Sequence, residues 1–133
     1  MREYARLQTA MLLRRLAYQV THAGKSGDPD AIHDLRVAVR RFSACLRAFA
    51  PFYPPHAARR VRRRLSGLME VAGLVRDLDV TLDLLRQSGT PTGAPLAAAL
   101  RSRRAKAEAR LEREIHQWTS RGFSRKWRSR LNL

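Results

Sequence analysis

The stretch DPDAIHDLRVAVRRFSACLRAF, residues 28–49, decides the fold. Asp28 suits a helix N-cap, Pro29 the first helical position and Asp30 the first turn, so a helix starts here. Ile32, Leu35, Val39, Phe42, Leu46 and Phe49 then recur at 3-4 spacing, which is the apolar stripe of an amphipathic helix. At about 100° per residue, His33, Arg36, Arg40 and Arg47 fall in one sector about 60° wide beside that stripe. Arg36 lies nearest the apolar edge, and Arg41 turns well away. The cations form a ridge.

Working outward, breakers cluster at GKSGDPD (24–30), PFYPPH (51–56), SGTPTGAP (88–95) and SRG (120–122). The segments between them carry helical periodicity and few β-branched runs. Helices are predicted at 2–22, 30–50, 57–87 and 95–119, with a short fifth near 123–131. Connections of this length predict an all-α chain, an antiparallel four-helix bundle with a short extra C-terminal helix, forming one domain over 1–133. Gly67 and Gly73 predict a bend or break in the third helix before VRDLDV, with Asp77 as a cap beyond it. No strand pattern or internal repeat stands out.

Charge is the outlier. Twenty-seven Lys and Arg face eleven Asp and Glu, a net +16. All of these cations are arginine except Lys25, Lys106 and Lys126. A guanidinium keeps its charge and forks onto phosphate oxygens, so a phosphate-rich partner is favoured over a solubility role. Nucleic acid, inorganic polyphosphate and an anionic membrane surface all fit. The single cysteine, Cys45, excludes an internal disulfide framework and a cysteine zinc site, and packs as a small hydrophobe at the stripe's edge. No apolar run approaches a membrane span, and the N-terminal stretch carries too many charges for a signal peptide. A cytoplasmic protein is expected.

The third and fourth helices carry a notable violation each. Ala57, Val61, Arg64, Leu68, Val71, Val75, Leu78 and Leu82 make one seam, interrupted by Arg64. Ala97, Leu100, Arg104, Ala107, Leu111, Ile115 and Trp118 make another, interrupted by Arg104. On the first helix two faces compete: Tyr4, Leu7, Met11 and Tyr18 with Arg14 among them, or Leu12, Leu16 and Val20. A buried unpaired guanidinium costs several kcal/mol, so seam arginines need partners, a wet cavity, or stems long enough to snorkel to water. Acids are scarce and some are locally engaged, with Arg76 and Asp79 read as an i,i+3 pair. An external polyanion would serve, which predicts a groove lined by His33, Arg36, Arg40, Arg64 and Arg104.

IHDLRVAVRRF resembles the signature helix of the CHAD family, the conserved-histidine α-helical domain, whose motif is approximately His-x-x-Arg-Val-x-x-Arg-Arg. The match falls on His33, Arg36, Val37, Arg40 and Arg41. GLVRDLDV resembles the family's second motif at Arg76, Asp77, Asp79 and Val80. The resemblance covers nearly the whole chain. It implies a helical bundle with a basic channel that binds inorganic polyphosphate without catalysis, sometimes at polyphosphate granules. His33, Arg36 and Arg40 take the anion-binding roles by motif position. With the seam and ridge positions added, the expected polyphosphate-binding set is His33, Arg36, Arg40, Arg47, Arg64, Arg104 and Arg14. The usual family domain has two pseudo-repeated halves and this chain resembles one, so either two copies pair as a homodimer or the basic surface stays open.

Other chemistries fit less well. On a helix Asp77 and Asp79 diverge by about 200° and cannot share one ion, so no metal site or cofactor is expected. His33 has no nucleophile or carboxylate placed for acid–base work, so no enzyme is expected. Trp118, Trp127 and Phe123 read as C-terminal packing rather than base-stacking platforms. The alternatives are a nucleic-acid-binding protein or a granule-associated scaffold using the same basic surface.

Overall fold

A computed structural model describes all 133 residues. Five α-helices follow in order: α1 Arg2–Lys25, α2 Pro29–Ala48, α3 Pro55–Gln87, α4 Pro95–Ser120 and α5 Phe123–Arg130, with one 3₁₀ turn at Ala50–Phe52 between α2 and α3. There are no strands. α1 packs along α2, α2 along α3 and α3 along α4, while α4 closes back on α1 and α5 lies across one end against α1 and α4. This is the expected bundle with its short extra helix.

Local chemistry sets the helix ends. Proline opens α2, α3 and α4, where its missing N–H is an orphan donor anyway. Asp28 caps α2: its Oδ1 accepts the Ala31 N–H at 2.8 Å and its Oδ2 accepts the Ser26 hydroxyl at 2.8 Å. These donors hold the Asp28 carboxyl below its ordinary pKa, the Ala31 bond being the larger cause. α3 stops at Gly89, whose φ of +83° lets Thr90 N–H reach the Leu85 carbonyl at 3.1 Å.

The expected break in α3 is absent. The helix runs unbroken through Gly67 and Gly73, and Asp77 lies exposed in mid-helix instead of capping anything. A helical glycine costs about 1 kcal/mol relative to alanine, and apolar burial along both neighbours outweighs two of them. The ambiguity on α1 resolves toward the aliphatic side. Leu16 and Val20 are fully buried together with Leu13, which neither face included, Leu12 is half-buried, and Tyr4, Leu7 and Tyr18 are exposed.

One core cluster joins all five helices. It runs through Leu16, Leu35, Val39, Leu68 and Leu111 to an aromatic end formed by Phe42, Trp118, Phe123 and Trp127. There Trp118 meets Phe123 and Trp127 edge-on at 4.9 and 5.0 Å, and Phe42 stacks on Trp127 at 6.0 Å. The expected packing role of these aromatics holds. Their geometry ties α5 to the bundle despite its eight residues.

Candidate anion-binding site

Helix α2 faces α1 with the flank that carries Cys45, whose Sγ lies 3.4 Å from the Thr9 hydroxyl of α1. His33, Arg36, Arg40 and Arg47 lie on the other flank, which borders α3. His33, Arg40 and Arg47 are exposed and Arg36 is half-buried. No carboxylate pairs with any of the four, for the molecule's four ion pairs all lie elsewhere. Arg47 only reaches Ser43 on its own helix, at 3.2 Å. The Nε of Arg36 is buried with no hydrogen-bond partner. Leaving such a donor unmatched costs about 1–3 kcal/mol. On α3, Arg62, Met69 and Arg76 follow one another at seven-residue steps on the flank facing away from α4, so they border the same α2–α3 groove. Arg62 and Arg76 are half-buried and carry no ion pair.

The remaining expected residues lie apart from this ridge. Arg64 faces α4, where its guanidinium sits 5.4 Å from the Trp118 ring centroid. It lines a cavity of about 290 Å³ that also takes in residues of α5. Arg14 is exposed on α1 and borders a cavity of about 490 Å³ with Arg15, Tyr18, Asp34 and Arg41. That cavity lies on the α1–α2 side, so Arg14 and Arg41 share a face that the ridge does not reach.

Arg104 is fully engaged from within. Its Nε donates to Asp79 Oδ1 at 2.6 Å, its Nη1 to Glu108 Oε2 at 2.6 Å and its Nη2 to the Gly27 carbonyl at 2.6 Å. Asp79 is nearly buried, its side chain 7% exposed against 18% for Arg104. The bond to Asp79, reinforced by both carboxylates' charge, raises the Arg104 pKa further above its already basic value. Asp79 therefore pairs across to α4 rather than with Arg76 on its own helix. A Cβ at Gly27 would overlap the Glu108 carboxylate, so a larger residue there would push that carboxylate away from Arg104. The clamp has a consequence for α2. It fixes the carbonyl next to Asp28, the N-cap, and so anchors the end of the helix that carries His33.

Asp79 and Arg64 lie about four turns apart on α3, about 22 Å of helix. The groove expected to gather Arg64 and Arg104 beside the ridge is thus divided. One arginine lies under α5, one is neutralised at the far end, and the ridge stands alone on α2.

Both sequence motifs now have places, the first on the ridge helix and the second at the α3–α4 clamp. The family model of the CHAD domain matches residues 8–133. The chain belongs to the CHAD domain family. CHAD domains are linked to polyphosphate handling and are non-catalytic. No curated protein and no solved structure shows significant similarity to this chain. No group of three or more His, Cys, Asp or Glu side chains is placed to hold a metal ion. No helix is long and apolar enough to cross a membrane.

Sequence patterns give no role to the other cations around Arg64, namely Arg60, Arg63, Arg121, Lys126 and Arg130. Their spacing along each segment is visible in the sequence, but their convergence depends on where α5 docks.

Proposed function

We infer that this CHAD domain binds inorganic polyphosphate through the α2 ridge, with His33, Arg36, Arg40 and Arg47 as the contacting groups and Arg62 and Arg76 across the groove. The observation that carries the reading is the row itself: His33, Arg40 and Arg47 are exposed beside the half-buried Arg36, and no carboxylate pairs with any of them. A polymer of closely spaced phosphates supplies acceptors to successive helical turns at once, so affinity should rise with chain length and fall steeply with salt. A second copy closing over the ridge is the quaternary part of the reading, with a cytoplasmic, granule-associated location its cellular part.

The test is competition binding of long-chain polyphosphate against RNA and DNA at matched phosphate and salt. Polyphosphate is expected to win. A nucleic acid that wins makes the basic surface a nucleic-acid interface instead. Sedimentation with and without polyphosphate tests the dimer, which is expected to assemble as the ligand screens the facing cations.

A further inference from the structure

Helix α3 opens with Arg60, Arg63 and Arg64 at i,i+3 and i,i+4 spacing, so the three share one face. Arg121 at the α4–α5 turn, with Lys126 and Arg130 one turn apart on α5, meets that face from the opposite side. These six cations line the 290 Å³ cavity, and no carboxylate lines it with them. None of the six forms an ion pair anywhere in the molecule. The floor is apolar, made by Phe123 and Trp127.

Two features make this more than a wet surface. The Arg64 guanidinium is held over Trp118, which orients its planar fork and keeps it half-buried. α5 is pinned by its buried aromatics, so Lys126 and Arg130 cannot swing away from α3 without unpacking Phe123 and Trp127. The molecule thus holds like charges together on two rigid elements, and nothing in the chain neutralises them. Arginine-rich, compact and closed on one side by α5, the cavity suits a short, dense polyanion rather than the body of a long one.

We propose that the α3–α5 cavity is a second anion site, separate from the α2 ridge, which takes a short run of phosphoryl groups of the triphosphate class. Such a run is offered by a short inorganic phosphate chain, by the end of a long one, or by the tail of a nucleoside triphosphate. The site stands independently of the ridge reading, since Arg64 and Arg40 project from different flanks of their helices.

Of the chain's two tryptophans, Trp127 lines this cavity and Trp118 lies beneath the Arg64 guanidinium, so both report on it. Calorimetry with tripolyphosphate measures binding, and tryptophan fluorescence in the same titration locates it. A saturable heat with a matching fluorescence change is expected, absent with potassium chloride at equal ionic strength. The double variant Arg63→Ala, Lys126→Ala truncates no buried side chain and is expected to weaken binding by about tenfold or more. Arg36→Ala with Arg40→Ala is expected to leave it within about twofold. ATP binding as tightly as tripolyphosphate identifies the phosphate tail as sufficient; tripolyphosphate alone binding identifies free inorganic chains. No saturable heat, or loss of tripolyphosphate binding in the ridge variant but not in the cavity variant, overturns the proposal.

Discussion

Arg64 and Arg104 interrupt the seams of adjacent helices, and the molecule treats them in opposite ways. At one end of the α3–α4 pair, Arg104 meets Asp79 and Glu108 and a backbone carbonyl, and becomes part of the frame. At the other end, Arg64 meets only the face of Trp118, among five further cations. The intervening helix is the same. What differs is the pairing: Arg104 forms ion pairs with Asp79 and Glu108, whereas Glu114, one turn from Trp118 on α4, accepts the Trp118 indole N–H at 3.1 Å and pairs with no arginine. A seam arginine with a carboxylate is architecture, and one without is available to an external anion.

The comparison breaks most visibly at Arg104. Arg104→Ala strands the nearly buried Asp79 and releases the Gly27 carbonyl, so a loss of about 2–4 kcal/mol in urea unfolding is expected. Arg64→Ala gives up a partly exposed cation–π contact, and less than about 1 kcal/mol is expected. Equal losses at the two sites would contradict the division between frame and ligand site.

The ridge should behave like the Arg64 end, with its effects on binding rather than stability. Removing Arg36 and Arg40 together is expected to lower the salt dependence of polyphosphate affinity by about one unit of log–log slope per cation. Titration against potassium chloride reads this directly, while unfolding curves of the same variant stay near wild type.

A third difference is set by pH. The Asp28 carboxyl has a folded pKa below its unfolded value, so its cap contribution is present above the unfolded value and lost as pH falls through the folded one. Asp28→Ala is therefore expected to be less stable than wild type at neutral pH, with the gap closing in strongly acidic solution. Thermal unfolding across pH 2–7, a window set by an ordinary aspartate near 3.8, follows that closure. The smallest effect belongs to Arg41→Ala, which lies off the ridge and should leave polyphosphate affinity unchanged.

The sequence made α2 legible because one strong stripe, a proline and an aspartate cap all agreed there. Breakers placed the other helices to within a few residues. Helix α1 was ambiguous because both of its faces carry large apolar side chains, and only the packing of α2 and α4 chooses between them. The break predicted in α3 failed for the same reason: glycine weakens an isolated helix, but neighbours on both sides hold this one continuous. Asp79 was misassigned because spacing along a chain reveals i,i+3 partners and conceals those on another helix. The cations of α5 were invisible as a site until that helix was seen facing α3 across a cavity.

The central claim is that unpaired arginines on α2 carry polyphosphate binding. Its most direct measurement is the affinity of long-chain polyphosphate for wild type and for the Arg36→Ala, Arg40→Ala variant, with circular dichroism showing both folded. The account predicts a loss of about tenfold or more in the variant. Undiminished affinity in a folded variant would contradict it.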